Sequence, residues 1–395
     1  MSAELTARSW GRDLDREFAA IRREIGSGGN PHIPGEYSPY FRWGSASGHG
    51  NGESPVTPFG PRGLFKAVYS LPEARTKGLL APKGTIILQD GRFFLAEKKS
   101  AFEEALYDKW TYPGQTIESH VGGLHFMGFN TGFSGGAVVE RLGNNGPAFH
   151  IETPGHGSGH HTRFSDFCIR LPESSDHACV DWDPGFETVA KGMQTFGGGA
   201  GWKISSGTTN AHFLHCAASR HSRSDRSGGF VVVEPNNPID DPHGDPDIDS
   251  TAVVISIRDA QIDTSDRILA GRFGRSGHVT IDTVKLEAAA KWKGKNFHDL
   301  VEWRIKSEFP ESGRNMGLKL SGIHLNVAYP VPVLVKQHGG RMPIKAKIEM
   351  INSGGRPAWT RRWMDWNNDA GDDFDALAVG WDSTQWRQKQ WALGQ

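Results

Sequence analysis

The chain has 395 residues, with 44 Lys or Arg against 45 Asp or Glu and a formal net charge of -1. That balance speaks against a globally basic nucleic-acid binder or a binder of anionic membrane surfaces, and no run approaches the roughly 20 apolar residues of a membrane span. Cys168, Cys179 and Cys216, an odd number without paired spacing, argue against a disulfide framework and a cysteine-based zinc site.

The N-terminus is polar and charged, with no apolar stretch of the kind a secretory signal carries, so the chain is expected to be made in the cytoplasm without one. Residues 1–26 read as a helix. Leu14, Phe18, Ile21 and Ile25 recur at steps of four, three and four, the seam of a short coiled coil, and Gly26 starts its stop. Residues 27–62, rich in Gly, Pro, Ser and Asn but carrying Tyr37, Tyr40, Phe41, Trp43 and Phe59, read as an ordered, irregular neck. Over 63–75 a short helix is expected, with Leu64, Phe65, Val68 and Leu71 on one side, followed by a first strand pair at 86–88 and 93–95.

The body, 63–354, is read as strands. Candidates are 115–119, 124–129, 137–142, 148–153, 164–171, 201–205, 212–216, 230–234, 252–262, 278–286, 300–306, 317–327, 331–335 and 343–352. Within 278–286, Val279 and Ile281 alternate with Thr280 and Asp282, a polar corner intervenes, and Val284 and Leu286 resume the alternation. The same spacing returns at 318–325, more loosely at 344–350, and upstream at 164–171. A two-residue polar corner between short strands of one facing is what each coil of a parallel β-helix needs, and 50 glycines suit a fold with frequent tight turns. Ordinary sandwich strands with bulges are the competing reading, and the fourfold echo favours the solenoid. Long polar loops are expected at 172–195, 219–228 and 236–250. Over 355–395 strand patterning stops. Six of thirteen tryptophans lie here, and Trp359, Trp363 and Trp366 follow helical spacing, so a Trp-rich cap or subunit contact is expected.

Several clusters carry candidate chemistry. Asp181 and Asp183 flank Trp182, which offers two carboxylates beside an aromatic ring for glycoside hydrolysis and a face for a sugar. Asp259 and Asp282 are further catalytic candidates that adjacent coils would bring together. Arg220, His221 and Arg223 form a basic loop able to neutralise a uronate or phosphate. Asp245, Asp247 and Asp249, at alternate positions, could surround a calcium ion, although the EF-hand glycine and glutamate are missing; a solvated acidic turn is the plainer reading. His150, His156, His160, His161 and His177 cluster in sequence but lack helical metal-ligand spacing, so a polar loop is expected there.

The start unit over 63–88, the rung Thr116-Ile-Glu-Ser followed by Val121-Gly-Gly-Leu-His-Phe-Met, and the corners at 279–286 and 318–325 together resemble the pectate-lyase-like right-handed parallel β-helix superfamily. Within it the pattern is most similar to tailspike or tail-fibre proteins of tailed viruses. The resemblance covers 63–352 at the level of pattern. It departs from cellular pectate lyases in lacking Arg-x-Pro-x-x-Arg, and from polygalacturonases in lacking their Asn-Thr-Asp and Asp-Asp patterns. It implies an all-β, single-stranded parallel β-helix and a virion protein that binds a cell-surface polysaccharide and in some relatives cleaves it. It further implies a homotrimer joined to other virion tail proteins through its N-terminal region, with no nucleic-acid partner and no membrane insertion. The alternatives are a structural virion or assembly protein, and a cellular polysaccharide lyase or glycoside hydrolase, for which a secretion signal would be expected.

Overall fold

A computed structural model describes residues 39–72, 82–98, 111–112, 114–119, 123–129, 136–151, 162–182, 188–204, 209–234, 252–273, 276–288, 300–305, 316–327, 331–338, 345–349, 360–366 and 376–379. Of the two units into which the chain divides, Met1–Pro39 and Tyr40–Gln395, the second holds every described strand. The helix expected over 1–26 lies outside the described residues.

Every strand pairing among the described residues is parallel, and the strands fall into three faces that the chain visits in turn. The first face runs Phe41–Gly44, Gly84–Leu88, Leu124–Gly128, Arg163–Ser165, Thr188–Lys191 and Thr209–Leu214. It continues through the first halves of Ala252–Asp263 and Ser276–Ala288 to Met316–Ser321, Lys345–Glu349 and Ala376–Val379. The second runs Gly91–Leu95, Ala137–Arg141, Cys168–Arg170, Gln194–Phe196 and Ala217–Ser219, then the second halves of the same two long strands, then His324–Val327. The third runs Ile117–Ser119, Phe149–Ile151, Ala178–Trp182, Ala200–Ile204, Gly229–Val233, Leu269–Phe273, Val301–Ile305, Val331–His338 and Thr360–Trp366. A chain that advances one strand on each face per circuit is a parallel β-helix, and the sandwich reading, which needs antiparallel neighbours, falls. Circuits differ in length: register partners are 24 residues apart at Val253 and Gly277 but 44 apart at Thr209 and Val253.

The corner between the first and second faces is built from backbone handedness. Asp166, Gly192, His215, Asp259, Thr283 and Gly322 occupy that corner in successive coils, and all have φ between 50° and 62°. One left-handed residue between two extended segments bends the strand while the following residue returns inward, so Phe167, Met193, Cys216, Ala260, Val284 and Ile323 all reach the core. Only two of the six are glycine; the others accept a conformation that disfavours a Cβ.

The interior is one continuous apolar column. Its densest part is aromatic. Phe164 is fully buried, stacked on Phe126 at 5.5 Å and 9° and set edge-on to Phe149, Trp182 and Trp202 at 5.4, 5.4 and 5.5 Å. The three cysteines are buried and free, and burial pushes the Cys168 and Cys216 thiols up to about 12, as small core residues rather than nucleophiles.

A helix, Leu64–Val68, covers the first end and buries Leu64, Phe65, Ala67 and Val68. Just beyond it the Tyr69 hydroxyl donates to the carbonyl of Glu118 (2.9 Å) and accepts from its N–H (2.8 Å), which satisfies the edge strand Ile117–Ser119. Arg42 ties the outermost strand down by donating to the Ser70 hydroxyl and carbonyl.

Strand pairing extends further than the sequence pattern does. The expected loop 172–195 contains Ala178–Trp182, Thr188–Lys191 and Gln194–Phe196. Ala178–Trp182 is buried on both faces, so it shows no polar alternation to read. The tryptophan spacing near 360 suggested a helix, but Thr360–Trp366 is a strand paired with Val331–His338. Backbone pairing offered by the coil beneath outweighs a local periodicity.

Candidate functional site

The outer side of the third face carries an unusual row. Glu118, His150, Asp181, Lys203, Val232, Ala270 and Glu302 are register partners in successive coils. They face away from the core column, yet Glu118, Asp181, Val232, Ala270 and Glu302 are between 0% and 8% exposed. Charges in such a place need partners. The Glu118 carboxylate accepts the backbone N–H groups of Thr111 (3.2 Å) and Tyr112 (3.0 Å). Oδ2 of Asp181 accepts the Tyr112 hydroxyl and Lys203 Nζ, both at 3.1 Å. Glu302 pairs with Arg267 at 2.8 Å, and both side chains are 6% exposed.

Tyr112 is the hinge of this arrangement. Its backbone serves Glu118, its hydroxyl serves Asp181, and its ring lies edge-on to His150 and His177 at 5.2 and 5.5 Å. Burial lowers the His177 pKa, with Arg141 adding to the effect and Asp181 opposing it, so the imidazole is held neutral. Burial also lowers the Arg141 guanidinium to about 10, against the raising influence of Glu118 and Glu97. Chemically this is a closed set of compensated charges. No open carboxylate pair faces solvent in it.

The residues singled out from sequence land as follows. Asp181 is part of the row just described. Trp182, expected to offer a sugar-stacking face, is 0% exposed and sits in the core against Phe164 and Trp202, so that expectation is corrected: strand alternation turns it inward when Asp181 turns outward. Asp259 stands at the left-handed corner with its side chain 51% exposed and His215 Nδ1 at 3.9 Å. Asp282 lies one position before the corner in the next coil and accepts the Ser321 hydroxyl at 2.7 Å. Asp183, the aspartates 245, 247 and 249, and the histidines 156, 160 and 161 lie outside the described residues. Among the described residues no group of three or more His, Cys, Asp or Glu could hold a metal ion.

The basic loop divides. Arg220 keeps 42% of its side chain in solvent and pairs with Glu173 at 2.5 Å. His221 is fully buried, with Nε2 2.9 Å from the Thr195 hydroxyl, and desolvation lowers its pKa to about 4. Arg223 pairs with Glu234, and its N–H donates to Asp266. The expectation of substrate contact is therefore corrected for His221 and Arg223, which brace the turn from the second face to the third. Arg220 alone points out.

No family model matches the chain, and no curated protein does. The geometry therefore carries the functional argument. Tyr112, Glu118 and Lys203 escaped sequence reasoning because only the register joins them: Lys203 becomes a neighbour of Asp181 through a circuit 22 residues long.

Proposed function

We propose that this protein is a glycan-binding attachment protein of the tailspike kind, which holds a cell-surface polysaccharide along its coils without cleaving it. The observation that supports the reading is the unbroken parallel register of the first two faces, whose outer side chains repeat at the strand spacing of about 4.8 Å. Polar and charged groups recur there in rows, each interrupted by one apolar residue: His125, Arg163, Val189 and His212 on the first face, Gln194, Ala217, Gln261 and Lys285 on the second. A surface that repeats along one axis suits a polymer that also repeats along one axis, because each unit meets an equivalent set of donors and acceptors. Asp181, bonded twice and 5% exposed, offers no free carboxylate to act as acid or base, which weighs against cleavage at the third face. Homotrimer formation, virion location and contact with other tail proteins through the N-terminal region belong to the same proposal.

The test is retention of the full chain on a panel of immobilised bacterial and archaeal surface polysaccharides, with assays for reducing ends and unsaturated sugars in the eluate. Retention without sugar release is expected. Retention by none of the panel overturns attachment; release that disappears in the Asp181→Ala, Asp183→Ala double variant overturns binding without cleavage.

A further inference from the structure

We propose that Arg170, Phe196 and Arg220 form a subsite on the second face for a sugar unit bearing a carboxylate or sulfate, with Glu173 as the carboxylate that competes for Arg220. This rests on the glycan-binding reading and names the class of sugar within it. Phe196 and Arg170 are register partners in adjacent coils, and Ser219, the partner of Phe196 on its other side, is followed directly by Arg220. Both guanidinium groups lie over one ring, Arg170 Cζ at 4.9 Å and Arg220 Cζ at 5.0 Å from the Phe196 centroid. The ring is half-buried on the outer side of the sheet, so the two cations are held at the surface and not in the core.

Cation–π contact limits the rotamers of two long side chains before any ligand arrives, which lowers the ordering cost of binding. A guanidinium presents a planar fork of donors, and that fork matches the paired oxygens of a carboxylate or sulfate. The backbone adds a separate argument. Arg220 has φ 62°, and the equivalent position one coil earlier is Gly197, at φ 71°. Left-handed φ recurs along this corner, with Thr264 at 50° one coil later, so it serves the turn and fixes the direction in which the side chain leaves it. The consequence is directional: Arg220 points outward, whereas His221, the next residue, is buried.

Nearby acids set the charge of the patch. Glu140, the partner of Arg170 on its far side, pairs with Arg92 at 3.4 Å, and Asp263, the partner of Ser219, accepts the Thr264 hydroxyl. Glu173 engages Arg220 and is the carboxylate that an anionic sugar would meet beside it. Its removal should therefore strengthen binding while leaving both arginines present.

The experiment measures the full chain on immobilised alginate (carboxylates), carrageenan (sulfates) and dextran (neutral), beside the polysaccharide panel above. Expected are binding to alginate, carrageenan or both with none to dextran, and a loss of about tenfold or more in R220Q and in F196A. E173Q should gain about threefold, and Lys66→Gln, exposed on the end helix Leu64–Val68 and off both faces, should change nothing. Whichever anionic polymer is held identifies the preferred group. Equal binding to dextran, or unchanged affinity in R220Q and F196A, overturns the subsite. If R220Q or F196A fails to fold, E173Q decides: no gain overturns the proposal. Panel binding that R220Q leaves intact sinks the subsite and spares attachment; alginate or carrageenan binding lost in R220Q with no panel binding does the reverse.

Discussion

Replacing Phe164 by alanine tests the aromatic column on which the coils rest. The ring is 0% exposed and touches five others: Phe126, Phe149, Phe167, Trp182 and Trp202, with centroids between 5.4 and 6.4 Å. These belong to three successive coils, so the neighbours cannot collapse into the gap without shifting strands whose register is held by backbone pairing. Truncating a fully buried Phe costs about 3–5 kcal/mol, and a site that cannot relax lies toward the upper end. Aromatic pairing beyond area burial, about 0.5–1.5 kcal/mol per pair, is lost with it, though such losses do not add. In a stack stabilised by nearest neighbours the loss should concentrate locally. Hydrogen exchange should therefore speed up by roughly a hundredfold to a few thousandfold in 124–128, 163–170 and 200–204, with much less change in 316–321. Phe94→Ala, on the half-buried outer side of its strand, serves as the control at about 1 kcal/mol or less. A Phe164→Ala protein with exchange in those coils within threefold of wild type would refute the packing argument.

Two further predictions concern titration and backbone. His221 has its pKa lowered by burial to about 4 in the folded chain, against about 6.5 when unfolded, so between these values the unfolded chain binds more protons. Its contribution is complete above pH 6.5 and is lost as pH falls toward 4, by about 3 kcal/mol in all. Denaturation midpoints of wild type and His221→Gln across that window should diverge, and parallel curves would remove His221 as the source. Thr283 is exposed, β-branched and left-handed at φ 54°. Thr283→Gly relieves about 1–2 kcal/mol of strain against about 0.5–1 kcal/mol of added chain entropy, so thermal unfolding should show a gain of up to about 1 kcal/mol. Any loss would show that the threonine side chain serves the corner.

Much of the fold could be read because it rests on side-chain alternation. Val279 and Ile281, then Val284 and Leu286, declare two inward pairs with a bend between them, and the strand Ser276–Ala288 bends at Thr283. Reading failed where alternation is silent: Ala178–Trp182 is buried on both sides, and Thr360–Trp366 takes its strand form from the coil beneath. Trp182 faces inward, where sequence context points outward. Beside two aspartates it suggested a sugar platform, but its inward neighbours are Phe164 and Trp202.

What the amino-acid order determined alone is local: short strands, their inward residues, polar corners, and hence a coil that repeats. Which distant residues meet was decided only by tertiary structure, because circuits of unequal length set the register. That register makes Asp181 the neighbour of Lys203 and lays Arg170 and Arg220 over Phe196. Alternation has a period of two residues and carries no count of the loop that follows, so partners 22 to 46 residues apart become neighbours only once the coils have stacked.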